Sequence, residues 1–225
     1  MMRRALIRTL RAGLAGLALL ALPHAYAQTV DLLVKHFAVS LGADGIQRST
    51  EFSERVTRTP DSVWISRVLP PGAHSGHDHA KGGDAHKHLD VSTASRWITR
   101  PPNGDIALRL VPNDEKVLVN VTKTDYGNVG FDGSWAAAWS LIDPATLKRM
   151  KAGPVAGDLI TYTLAEKGRL LKVVWNTKLE IPMRVESSDA GSRRETVVQV
   201  VGGPASRPWD KLQGFTQKDY SDYLD

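Results

Sequence analysis

Phe37-Ala-Val-Ser-Leu41-Gly-Ala-Asp-Gly45-Ile-Gln-Arg-Ser-Thr50-Glu-Phe-Ser-Glu-Arg55-Val56 decides the fold class. Phe37, Val39 and Leu41 alternate with polar or small residues. Gly42 to Gly45 supplies a tight turn, and Ile46, Arg48, Thr50, Phe52, Glu54 and Val56 continue the alternation on the return. Successive side chains of a strand point to opposite faces, so period two on both sides of a Gly/Asp turn reads as a β-hairpin.

The same period extends along the chain. Thr59-Pro60-Asp61-Ser62 turns into Val63–Leu69, and strand patterns recur at Ser95–Thr99, Asp105–Val111 and Lys116–Thr122. Four more follow at Leu159–Leu164, Leu170–Trp175, Leu179–Glu186 and Thr196–Val201. Pro182 inside one of these predicts an edge position or a bulge, because proline cannot donate to a ladder. One stretch changes period. Trp135 and Trp139 stand four apart, on one helix face, within Ser134–Ile142. Asp143-Pro144 then reads as an N-cap with proline at the first helical position, opening a second short helix over Ala145–Lys151.

The expected fold is mainly β with short helices (α+β). About ten strands form a curved antiparallel meander, an incomplete β-barrel, over two short helices at Trp135–Lys151 on its concave face. Residues 28–214 read as one domain. Residues 215–225 read as a tail with a last helical turn, whose Tyr220 and Tyr223 pack back on the domain.

The first residues read as a targeting segment. Arg3, Arg4, Arg8 and Arg11 precede the apolar run Gly13–Leu22, and Ala25-Tyr26-Ala27 fits a cleavage site. That is the pattern of a secretory signal peptide over residues 1–27, and it predicts a periplasmic location. The run is about half the roughly 20 residues of a membrane-spanning helix, so no transmembrane segment is expected in the mature chain. Cleavage removes four arginines and no acids, taking the formal charge from +5 to +1. A nearly neutral chain gives no warrant for nucleic acid as a partner.

The sequence holds no cysteine, which excludes disulfides, thiolate metal sites and a cysteine nucleophile. G-x-S-x-G, H-E-x-x-H, a P-loop and a dinucleotide fingerprint are also missing, so a non-catalytic protein is expected.

Five of the seven histidines fall in His74-Ser-Gly-His-Asp-His-Ala-Lys-Gly-Gly-Asp-Ala-His-Lys-His88. His74, His77, His79, His86 and His88, with Asp78 and Asp84, form a candidate metal site on a glycine-rich loop at residues 71–90. Imidazole with carboxylate and no sulfur suits an exchangeable Zn²⁺, Cu²⁺, Ni²⁺ or Co²⁺. The other reading is a solvated polar loop. His36, isolated on the first strand, reads as a satisfied histidine inside the barrel.

Gly168-Arg-Leu-Leu-Lys-Val-Val-Trp175-Asn176, followed by Leu179-Glu-Ile-Pro182-Met-Arg-Val-Glu186, resembles a strand pair of the LolA/LppX-like outer-membrane lipoprotein-sorting superfamily. The preceding meander with helices inserted midway is similar in layout. The resemblance implies a half-barrel wrapped over helices, with an apolar cavity for acyl chains. The histidine run and a strand in place of the N-terminal helix depart from that pattern.

Three functions stay open. The first is capture or delivery of a divalent transition metal. The second is carriage of a lipid or other apolar ligand, in a pocket of about 300–1,000 Å³ lined by tryptophan and leucine. The third is an accessory subunit that docks onto an exported partner protein through its aromatic C-terminus.

Overall fold

The computed structural model describes residues 29–70, 89–102, 104–113, 115–203 and 206–224. Twelve strands form one sheet in the order β12-β6-β5-β4-β3-β2-β1-β11-β10-β9-β8-β7. Two antiparallel meanders meet in the middle. The first runs β1 (Val30–Leu41), β2 (Gln47–Arg58), β3 (Ser62–Val68), β4 (Ser95–Thr99), β5 (Ala107–Val111) and β6 (Val117–Val121). The second runs β7 (Lys151–Ala156), β8 (Leu159–Glu166), β9 (Arg169–Asn176), β10 (Ile181–Ser188) and β11 (Ser192–Val201). β1 pairs with both β2 and β11, so it is the seam.

The chain crosses from β6 at one side of the sheet to β7 at the other through three helical pieces. These are a 3-10 turn at Lys123–Val129, the helix α1 (Trp135–Ser140) and a 3-10 turn at Pro144–Arg149. Ser134 caps α1, its side chain accepting from the Ala137 amide at 3.1 Å. Asp143 Oδ1 caps the next turn by accepting from Ala145 N at 2.9 Å. Both caps satisfy amides that a helix start leaves without partners.

The sheet is an open half-barrel with the crossing segment on its inner face. Leu32, Val34, Val56, Val63, Ile98, Leu108, Leu110, Val119 and Val121 point inward and pack against Tyr126, Val129, Phe131 and Trp135. Leu147 and Met150 cover Val173 and Trp175 on the second meander. The outer face also has a core. Trp64, Val111 and Leu118 are covered by Trp97, Trp209, Leu212 and Phe215, the last three from the stretch after β11.

Several elements differ from expectation. β7 and β12 (Thr216–Asp219) were not foreseen, and the second helix is a 3-10 turn that ends before Lys151 starts β7. β12 pairs in parallel with β6, and Tyr220 and Tyr223 pack in the main core. Pro182 sits at a bulge, where the pairing of β10 with β9 shifts register between Pro182 and Arg184. The two-residue loop between β8 and β9 is Lys167-Gly168, with φ of 49° and 75°. Two positive φ values make the type I′ turn that matches strand twist, and glycine takes its half at no steric cost.

Candidate functional site

Between α1 and the inner face lies a groove of about 210 Å³. Val34 and Val56 form its floor, with Ile65 and Val185 at the sides. Ala137, Ala138, Leu141 and Ile142 form its roof. Alternation explains the floor: Val34 of β1 stands opposite Glu54 and Val198, so one residue parity of three strands faces the helix. Ala137 and Ala138 are too short to fill the space between α1 and the sheet. No tryptophan lines this groove and leucine does so once, which corrects the expected lining and the expected size. The tryptophans fill cores instead: Trp135 and Trp175 inside, Trp64 and Trp97 outside.

One end of the groove is polar. His36, Glu54 and Thr196 line it, from β1, β2 and β11. His36 Nδ1 lies 3.2 Å from Thr196 Oγ1, and its ring stacks on Phe52 at 4.5 Å. His36 Nε2 is 3.2 Å from Glu54 Oε2, an ion-pair distance without the alignment of a hydrogen bond. Arg96 Nη2 donates to Glu54 Oε1 at 3.0 Å. The Arg67 guanidinium, opposite Glu54 in the β2–β3 register, lies over the Phe52 ring at 3.6 Å. Burial pushes the Glu54 pKa up, but His36, Arg96 and Arg67 together outweigh it and hold the carboxyl below its ordinary value.

Arg58 lies one inward position beyond Val56 on β2, on the side away from Glu54. It is 2% exposed on the inner face. Its guanidinium donates to the carbonyls of Trp139 in α1 and Leu179 in the β9–β10 turn. Burial pushes its pKa down to about 10, so it stays charged at neutral pH. Trp139 Nε1 donates to Thr59 O at 2.9 Å, a second tie between helix and sheet.

A larger depression of about 700 Å³ lies beside the 3-10 turn Lys123–Val129. Lys123 Nζ and Asp105 Oδ2 pair across it at 3.0 Å, with side chains 61% and 85% exposed. Its charges are satisfied and in water, and they make the weaker candidate.

The expected metal ligands His74, His77, His79, His86, His88, Asp78 and Asp84 lie outside the described residues, as does segment 1–27. Among the described residues, no group of three or more histidine and acidic side chains is placed to hold an ion. No helix among them is long and apolar enough to cross a membrane. His36 sits inside the half-barrel as read, but only its Nδ1 has a hydrogen-bond partner. Glu54, Arg58, Arg67 and Arg96 were not singled out. Their signal was charge at inward parity: Glu54 falls in register with Val34, Arg58 with Val63 and Arg96 with Ile65, while Arg67 faces Glu54.

No family model and no curated protein matches the chain. Three solved structures that it resembles share little sequence with it. The first is PNGF-II, at 10% identity over 86% of this chain, with a TM-score of 0.37; the match spans 32% of that protein's length. The second is a putative outer-membrane lipoprotein-sorting protein domain from Vibrio parahaemolyticus. It shows 11% identity over 81% of this chain and 89% of that one, with a TM-score of 0.34. The third is a LolA-superfamily protein from Nitrosomonas europaea, at 9% identity over 84% and 90%, with a TM-score of 0.35. Lipoprotein-sorting and LolA-superfamily domains are thus among the solved structures that this chain resembles.

Proposed function

We propose that this chain is a periplasmic, non-catalytic carrier that shelters an apolar ligand in the groove beneath α1. One observation carries the reading. Val34, Val56, Ile65, Leu141, Ile142 and Val185 wall a space that the chain leaves unfilled, although protein interiors are normally close-packed. A concave apolar site with a few convergent polar groups is the usual form of a small-molecule site. The signal-like segment 1–27 supports the periplasm.

A neutral naphthylamine fluorophore, N-phenyl-1-naphthylamine, tests it. The protein should bind the dye with a rise in fluorescence. Ala138→Phe, which fills the groove from the roof, should weaken binding about tenfold, a loss of about 1.4 kcal/mol. Unchanged dye binding in a folded Ala138→Phe protein would move the site elsewhere.

The histidine run supports a second reading, metal capture between β3 and β4. Zn²⁺ or Cu²⁺ should bind through His74, His77, His79, His86 and His88, assisted by Asp78 and Asp84. Affinity should fall as pH drops through about 6.5, where imidazole takes up a proton. Calorimetry on the protein and on a variant with His77, His79, His86 and His88 changed to alanine decides it. Equal uptake by both would exclude the run as the site.

A further inference from the structure

We propose that the groove selects amphiphiles with an anionic head, carboxylate or phosphate monoester, read by Arg67 and Arg96 at its polar end. The proposal rests on the carrier reading and names its ligand class.

The groove has two unlike ends. At the Arg58 end the helix is bolted to the sheet by carbonyl contacts, and Trp139 covers the guanidinium face at 3.7 Å. There both Arg58 terminal nitrogens are taken up by carbonyls, and the Glu180 carboxylate lies near enough to act on its charge. At the other end the floor changes from Val34 and Val56 to His36 and Glu54, one inward position further along each strand. A chain lying along Val34, Val56 and Ile65 therefore brings its polar end to this lip.

Glu54 is the one carboxylate lining the groove, and Arg96 and Arg67 stand just behind the lining, the first bonded to Glu54 at 3.0 Å and the second opposite it in the β2–β3 register. The two guanidinium groups outnumber that carboxylate. Glu54 is already engaged by Arg96 at 3.0 Å and by His36 at 3.2 Å. Arg67 lies over the Phe52 ring and makes no ion pair among the described residues. A guanidinium presents five donors in a planar fork that matches carboxylate and phosphate oxygens. The side chains of Glu54, His36 and Arg96 are 18%, 28% and 29% exposed, so a head group meets charge that water screens only in part. At about 210 Å³ the groove suits one acyl chain rather than two.

Three ligands with one ten-carbon chain separate the possibilities: decanoate, decanol and decyltrimethylammonium, with decyl phosphate as the second anion. Calorimetric titration at low salt should rank an anion above decanol, and decanol above the cation, each step about tenfold. Arg67→Gln should cut the ratio of decanoate to decanol affinity about tenfold, and Glu54→Gln should raise it. Arg67→Gln leaves the Arg96–Glu54 pair in place, so its folding is checked independently by circular dichroism. Equal binding of anion and cation, or a ratio unmoved by Arg67→Gln, overturns head-group selection while the carrier reading stands. Failure of all four ligands to bind overturns the carrier reading itself.

Discussion

The guanidinium carbon of Arg58 stands 3.7 Å from the centroid of the Trp139 ring, and its Nη1 donates 2.5 Å to the Trp139 carbonyl. One residue of β2 thus holds both the side chain and the backbone end of α1. Arg58→Met should leave two buried carbonyls without their donor and cost about 2 kcal/mol. Arg58→Lys should recover only part of this, because a single ammonium lacks the fork that spans two acceptors. Urea unfolding measures both. Full stability in Arg58→Met would mean that burying the cation costs as much as its contacts return.

Glu54 predicts a pH dependence. Its pKa is lower in the folded protein than the ordinary glutamate value of about 4.5, so its contribution is present above pH 4.5 and lost as pH falls through the folded value. Glu54→Gln should therefore cost about 1 kcal/mol at pH 7 and much less at pH 3. Chemical unfolding at the two pH values gives the difference. A gap that widened on acidification would reverse the sign and sink the assignment.

Ser134 caps a helix of six residues, too short to hold by propensity. Ser134→Ala should cost about 1 kcal/mol and lower Tm by roughly 2–4 °C. Thermal melts followed at 222 nm read the shift, and Ser134→Asp should restore it.

Leu32 is fully buried on β1, opposite Val56 on one side and Val200 on the other. Leu32→Ala should cost about 2–5 kcal/mol, and more if the neighbours do not collapse into the space. Retention of wild-type stability would mean the two meanders do not depend on the packing at their seam.

The alternating strands were legible because each buries one parity: Leu32 and Val34 inward, and Leu108 and Leu110 inward. β7 was not, since Lys151-Ala-Gly-Pro-Val-Ala156 is exposed at every position and carries Gly153 and Pro154. β12 is Thr-Gln-Lys-Asp, polar throughout, and becomes a strand only because the β6 edge pairs with it. The tryptophans were legible as core residues, but not which face each would take. Both faces of the β3–β6 half are covered, so an aromatic at either parity is buried. The polar lip could not be read, because bringing His36, Glu54, Arg67 and Arg96 together depends on the register of four strands. Periodicity fixes which face a residue takes, not which neighbours it meets there.

The seam has a cost in time. His36 and Thr196 touch across it although they are 160 positions apart. A chain made from its N-terminus can pair β1 with β2 and β3 by short turns, and β4 to β6 once the long connection from Val68 to Ser95 is made, yet β1 then waits with one row of amides and carbonyls unpaired until β11 exists. Pairings so distant in sequence are slow to form. Through that interval β1, a strand of 12 residues, is a bare edge, open to any extended segment that arrives first. Val30–Leu41 is therefore where this fold is most exposed to mispairing before it is complete, and most protected after.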